Sequence, residues 1–176
     1  MDFVIPENAV THFHLREGDV VGDLGAGSGF FEKALSRAVG PSGRVFAFEI
    51  QRPLVERLGE MVRREHLGNV EVLWCDIESP EGCKLREGML DAGLFSNTLF
   101  QVENKAQALT EAHRLIRAGG KLLVIDWSQS FAGMGPQPGD VLTEGDAQTL
   151  IEQHGFTYER SFPAGEYHYG LAFRRV

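Results

Sequence analysis

Cysteine is nearly absent: the 176 residues contain only Cys75 and Cys83. Two cysteines offer neither a disulfide framework nor a zinc-ligand spacing, so both are expected to be reduced thiols packed in the interior. Positive charge is also short. Seventeen Lys and Arg against 25 Asp and Glu leave a formal charge of −8, which gives no attraction to a phosphate backbone and makes nucleic acid a disfavoured partner. The one basic pair, Arg63-Arg64, falls near the end of an expected helix, where it complements the dipole. No apolar run approaches the ~20 residues of a bilayer span. The opening residues MDFVIPENAV lack the basic-then-apolar layout of a secretory signal, and the expectation is a cytoplasmic protein. Repeats, low-complexity tracts and linkers are missing, so 1–176 reads as one domain with a substantial core.

What is present is alternation. DVVGDL (19–24), RVFAFEI (44–50), NVEVLWCDI (69–77), LDAGLFSN (90–97) and KLLVIDW (121–127) are short apolar runs that read as strands. Between them lie helical stripes: Phe30 to Val39, from Ser28 onward and stopped by GPSG (40–43); Leu54 to Val62, with Pro53 in the first turn; and Ala108 to Ile116, ending at Gly119-Gly120. Strands that are apolar on both faces and alternate with helices predict a parallel sheet covered on both sides. The last third differs. Residues 128–140, SQSFAGMGPQPGD, have no period; TEGD (143–146) opens a helix that HGF (154–156) closes; FTYERSF and YHYGLAFRR read as a closing hairpin.

The first strand runs into VVGDLGAGSGFF (20–31). Gly25, Gly27 and Gly29 directly after Asp23 allow close approach of a ligand to the backbone at a helix N-terminus. A dinucleotide fingerprint, Gly-x-Gly-x-x-Gly, needs its third glycine at position 30, which is Phe. The acid ahead of the turn suits a cationic or amine-bearing ligand better than a pyrophosphate. Glu49 ends the second strand, placed to accept both hydroxyls of a ribose. Asp76 ends the third, placed to accept from an exocyclic amine.

Taken in order, VVGDLGAGSGFF, VFAFEI, VLWCDIE, LDAGLFSNTLF, EAHRLIRAGGKLLVIDW and EQHGFTYE resemble the class I S-adenosylmethionine-dependent methyltransferases. They look most like the small-molecule branch typified by quinone-biosynthesis C-methyltransferases. The resemblance runs from about Leu15 to the C-terminus. It implies an α/β, Rossmann-like three-layer sandwich, with a seven-stranded, mostly parallel sheet ordered 3-2-1-4-5-7-6 and an antiparallel last strand. The N-terminal 1–14 would be a helical segment over the active site. Carried across by position, Gly25, Ala26, Gly27 and Gly29 would line the methionine portion of S-adenosylmethionine, with Asp23 near its amino group. Glu49 would take the ribose, Ile50 the adenine face, and Asp76 with the Ile77 backbone the adenine edge. Ser96 and Asn97 would lie beside the methyl-transfer point, and S-adenosylhomocysteine would be the product. Relatives often carry a His pair where this chain has Phe100-Gln101, so no acceptor role transfers there. SNTL (96–99) also lacks the Asn-Pro-Pro-aromatic signature of amino-directed DNA methyltransferases.

A sulfonium is already an activated donor, so a base is needed only if the acceptor loses a proton during attack. Asp126 and His168 are the candidates, each with an ordinary structural alternative as a loop cap or a packed histidine. His12 and His14, two residues apart, do not share a helix face, and no metal site is expected. The acceptor pocket is expected from segment 3–14, loops 97–103 and 128–140 and the hairpin near 163–169. Phe3, Phe13, Phe100, Trp127, Phe131 and Met134 would make it apolar and suited to a small apolar or aromatic acceptor. The protein would be a monomer or homodimer. Two rival readings are an RNA or protein methyltransferase of the same fold and a non-catalytic S-adenosylmethionine-binding sensor or subunit.

Overall fold

The computed structural model describes residues 4–131 and 133–176. A seven-stranded sheet in the order β3-β2-β1-β4-β5-β7-β6 organises the chain, as the sequence resemblance implies. β1 (Val20–Leu24), β2 (Arg44–Glu49), β3 (Val70–Trp74), β4 (Leu90–Ser96) and β5 (Ile116–Trp127) are parallel. β7 (His168–Arg175) runs antiparallel to both β5 and β6 (Phe156–Pro163).

The period of two along each strand divides the core into two layers. Val21, Val45, Ala47, Leu94, Leu123 and Ile125 face α1 (Pro6–Thr11), α2 (Glu32–Val39) and α3 (Arg52–Arg64). Leu24, Phe46, Phe48, Phe95, Leu122 and Val124 belong to the layer packed with α4 (Lys105–Leu115) and α5 (Glu144–Glu152). The helix starts follow local chemistry. Thr143 accepts from the Asp146 N–H at 3.2 Å and Asn104 from the Gln107 N–H at 3.1 Å, each satisfying a donor that the helix leaves unpaired.

Four expectations are corrected. α2 begins at Glu32 rather than Ser28, because the glycine turn consumes the intervening residues in its own bonds, such as Gly29 N–H to the Ala26 carbonyl. β3 stops at Trp74, because beyond Cys75 the chain turns into a loop rather than pairing with β2. α4 ends at Leu115 and passes into β5 at Ile116; Gly119-Gly120 lie inside that strand, where the register against β4 shifts. Finally, Cys75 and Cys83 are joined in a disulfide with Cα atoms 4.8 Å apart. The reason is a tight turn: Ser79 N–H donates to the Asp76 carbonyl and Gly82 N–H to that of Ser79, returning residue 83 to the side of residue 75.

α1 packs on α2 at one face of the sheet. Phe13 is buried in that layer, and Lys121 Nζ donates to its carbonyl at 2.6 Å. His12 stacks on Phe162 with ring centroids 4.4 Å apart, and Arg160 donates to the His12 carbonyl. Phe3 lies outside the described residues.

Asn69, just before β3, was not singled out in the sequence. Its amide donates to the carbonyls of Ser36 and Gly40 at 3.0 and 2.8 Å, and its oxygen accepts from the Ser36 hydroxyl at 2.5 Å. It therefore closes the C-terminal turn of α2 onto the sheet. Asn69→Ala should destabilise the fold by about 2 kcal/mol, or about 6 °C in Tm by calorimetry. An unchanged melting temperature would show that water replaces all three bonds.

Candidate functional site

In a sheet of this kind, loops at the carboxyl ends of the strands have room for a ligand where strand order reverses, here beside β1. The N–H groups of Gly25 and Ala26 both donate to the Phe48 carbonyl, at 3.0 and 2.8 Å, fixing the glycine turn to the end of β2. Gly25, Gly27 and Gly29 have φ of 95°, 57° and 90°, a region that side chains disfavour. Two of them do different jobs. A Cβ on Gly25 would come within 2.6 Å of the Thr98 side chain, so this glycine admits the loop after β4. A Cβ on Gly27 would meet nothing within 4 Å, so its backbone is open to the space above.

That space is a cavity of about 420 Å³. Gly25, Gly27, Glu49, Ile50, Asp76 and Ile77, all singled out in the sequence, line it together. Glu49 is buried, and its carboxylate accepts the Gly27 N–H at 3.0 Å and the Gln51 N–H at 2.7 Å. Asp76 turns its carboxylate into its own loop, accepting from the Glu78 N–H at 2.9 Å and the Ser79 hydroxyl at 2.6 Å. Among the described residues, three acids line the cavity, Glu49, Asp76 and Glu78, and no lysine or arginine does.

Beneath the glycine turn the charge becomes denser. Asp23 and Glu32 are buried, and their carboxyls face one another. Burial, then repulsion from Glu32, raises the proton affinity of Asp23; Glu49 adds to the same effect. Glu32 is raised as well, chiefly by burial. Asp23 Oδ1 and both carboxylate oxygens of Glu32 have no hydrogen-bond partner among the described residues.

The remaining predicted positions stand around rather than on the cavity. Ala26 and Gly29 belong to the turn; a Cβ on Gly29 would strike Leu58 and Met61 of α3. Ser96 and Asn97 do not line the space. Asn97 takes a positive φ of 54° and donates its N–H to the Ile125 carbonyl. Thr98, Gln101 and Val102 reach the cavity in their place, together with Gln51 and Leu54. No pattern in the sequence singled these out; at β4 the positive φ of Asn97 breaks the alternation that would have pointed to Ser96 and Asn97.

Asp126 and His168 part company. Asp126 is buried and accepts the Phe100 and Trp127 N–H groups at 3.1 and 2.9 Å, so it pins the loop after β4 to the end of β5. Desolvation outweighs those bonds and pushes its carboxyl up to about 6. His168 lies against the Trp127 indole with centroids 4.3 Å apart, and neither ring nitrogen has a partner among the described residues. Burial lowers its proton affinity, which keeps the imidazole neutral. Neither residue lines the cavity. Beyond these strand ends, Phe131 pairs with Met134 and sets its ring edge-on to Tyr167, 4.2 Å between centroids. Gly135 presses against Trp127. His12 and His14 point elsewhere, to Phe162 and Arg160.

Comparison with known proteins agrees with this arrangement. A pattern described as "Methyltransferase domain" matches residues 15–161. The chain is 33% identical over 117 residues to the ubiquinone/menaquinone biosynthesis C-methyltransferase UbiE of Hydrogenovibrio crunogenus, covering 65% of this chain and 44% of that protein. It is 38% identical over 114 residues to an uncharacterized 37.1 kDa protein in transposon TN4556 of Streptomyces fradiae, covering 64% of this chain and 32% of that one. It thus spans less than half the length of either curated relative. Among solved structures, a SAM dependent methyltransferase from Aquifex aeolicus superposes with a TM-score of 0.91 at 29% identity, covering 99% of this chain and 91% of that one. The [4+2]-cyclase SpnF superposes with a TM-score of 0.81 at 14% identity, covering 97% and 79% of the two chains, a likeness of fold alone. With the glycine turn, the terminal acid of β2 and the strand order in place, the chain belongs to the methyltransferase domain family.

Proposed function

We propose that this chain transfers a methyl group from S-adenosylmethionine to a small, apolar or aromatic acceptor. The observation that carries the reading is the cavity over Gly27, lined among the described residues by three acids and by no lysine or arginine. Such a wall repels a pyrophosphate and attracts a ligand with a sulfonium and an ammonium. Bound there, S-adenosylmethionine supplies an activated methyl on a cationic sulfur, with neutral S-adenosylhomocysteine as the leaving group.

The chain's own residues bind and orient. Glu49 has lone pairs left after its two backbone bonds and takes the ribose hydroxyls. Ile50 packs on the adenine face, while Asp76 and the Ile77 backbone hold its edge. Gly25, Ala26, Gly27 and Gly29 give the methionine portion a bare backbone, over Asp23. Thr98 closes the side toward β4, with Ser96 and Asn97 behind it at the strand end, where they support the loop that faces the methyl group.

The acceptor side is the aromatic group past β5 and β7, where Trp127, Phe131 and Tyr167 gather. Register places Ser96 beside Ile125 and Trp127 beside His168, so this group shares the sheet edge with the donor cavity. The name of the UbiE relative, a quinone-biosynthesis C-methyltransferase, supports an apolar ring as acceptor. Where attack requires loss of a proton, Asp126 and His168 are the candidate bases; Asp126 is engaged in positioning, and the ring nitrogens of His168 are buried with no hydrogen-bond partner among the described residues. Among the described residues no helix is long and apolar enough to cross a membrane.

Titration calorimetry should show binding of S-adenosylmethionine and S-adenosylhomocysteine and none of NAD; tighter binding of NAD would overturn the reading. Glu49→Ala should weaken S-adenosylhomocysteine about 100-fold, the value of two charge-assisted hydrogen bonds, and unchanged affinity would remove the ribose role. Asp126 supplies a pH test. Its native carboxyl holds a proton more tightly than in the unfolded chain, so its stabilising contribution is complete below about pH 4 and lost as pH rises through about 6. The stability of Asp126→Asn relative to wild type should therefore climb between pH 4 and 7, by at most about 3 kcal/mol in urea unfolding. A flat difference would mean that water reaches the carboxylate.

A further inference from the structure

We propose that the Cys75–Cys83 disulfide is a reversible redox site that sets how tightly the adjoining cavity holds its adenosyl ligand. The inference rests on the donor-site reading above and adds a control to it. Cys75 lines the cavity and is followed directly by Asp76, Ile77 and Glu78, which line it too. One cavity wall is therefore the first part of the loop that the disulfide closes.

The two ends of that loop are held differently. At Cys83 the N–H donates to Glu111 at 3.1 Å and the carbonyl accepts from Arg114 at 2.9 Å. Arg114 also reaches the Leu85 carbonyl at 2.8 Å and grips both oxygens of Glu111 at 2.8 and 2.7 Å. Glu111 is itself buried, so residues 83–85 are clamped to α4 from a fixed point. At the other end, Cys75 keeps one ladder bond, its N–H to the Glu49 carbonyl, Asp76 is held by bonds inside the turn, and one further bond, from the Asn104 N–H to the Glu78 carboxylate at 2.6 Å, ties the wall to α4. A Cα separation of 4.8 Å suits a disulfide, and reduction removes the one covalent tie between the two ends. Reduction therefore displaces the less tethered end, which is the wall at 75–78.

The chemistry balances with a low-molecular-weight thiol of the glutathione type. Its thiolate attacks Cys75 Sγ, the S–S bond breaks, and Cys83 leaves and takes up a proton. A second thiolate attacks the mixed disulfide, freeing Cys75 as a thiol and releasing the low-molecular-weight disulfide. Two electrons and two protons thus pass to the protein, and the reverse sequence oxidises it. Both cysteines are buried, and Cys75 is the one that borders the cavity, so the route to the disulfide runs through the cavity. A bound adenosyl ligand blocks that route, and ligand and disulfide each favour the other.

Calorimetry with S-adenosylhomocysteine on the oxidised and the phosphine-reduced protein should give about tenfold weaker binding after reduction, as expected if the freed wall is correctly placed about a tenth of the time. Intact mass after alkylation verifies each state. Cys83→Ser should bind like the reduced protein under both conditions, and ligand should slow reduction of the wild type by dithiothreitol. Equal affinities of the two verified states would overturn the proposal, as would two freely alkylated thiols after equilibration with glutathione disulfide. Absence of binding in both states would instead sink the donor-site reading, and the control with it.

Discussion

The carboxyl edge of the sheet depends on one side chain, the carboxylate of Glu49. It accepts an N–H from Gly27, in the turn after β1, and another from Gln51, at the start of α3. Those segments follow different strands, and no backbone ladder joins them. Burying a charge without partners costs several kcal/mol, but charge-assisted hydrogen bonds to two fixed amides offset that cost. The glycine turn, with three successive positive-φ glycines, has few other anchors: the Phe48 carbonyl and its own Gly29–Ala26 bond. The shape of the cavity and the entry angles of α2 and α3 therefore follow from where β2 ends.

The same residue belongs to a wider field. Asp23 and Glu32 lie buried below the turn, and Glu49, Asp76 and Glu78 line the cavity. Under the proposed activity the donor arrives with a positive sulfur and departs without it. Acids that hold the first more firmly than the second favour exchange of product for fresh donor.

Much of this was legible in the sequence because it rests on local rules. Strand order and the antiparallel last strand came with the resemblance. The glycine turn and Glu49 followed from spacing, and the start of α5 from Thr143 and Asp146. What escaped depends on tertiary return. No pattern marks Asn69 as the closing clamp of α2, since its partners are carbonyls some 30 residues upstream. The Cys75–Cys83 pairing needs a turn whose residues, Ser79 and Gly82, look like ordinary loop punctuation. Gly119-Gly120 read as a helix stop, yet α4 ends earlier and the pair sits in β5. There Gly120 leaves room for Ile116, which a Cβ would meet at 2.6 Å. Thr98 replaced Ser96 and Asn97 at the cavity because the positive φ of Asn97 turns the chain one residue further than strand alternation predicts.

The reversal of β7 has an evolutionary reading. Because β7 runs against β5, its first residue, His168, stands level with Trp127 at the edge where the parallel strands end. The residues bordering the cavity fall between Gly25 and Val102, whereas the aromatic group lies between Trp127 and His168. Under the proposed activity, the donor and acceptor sides would thus be built by two stretches of chain that do not overlap. Substitutions and insertions in the second can accumulate without disturbing the first, so a lineage can change what it modifies while inheriting its donor site intact.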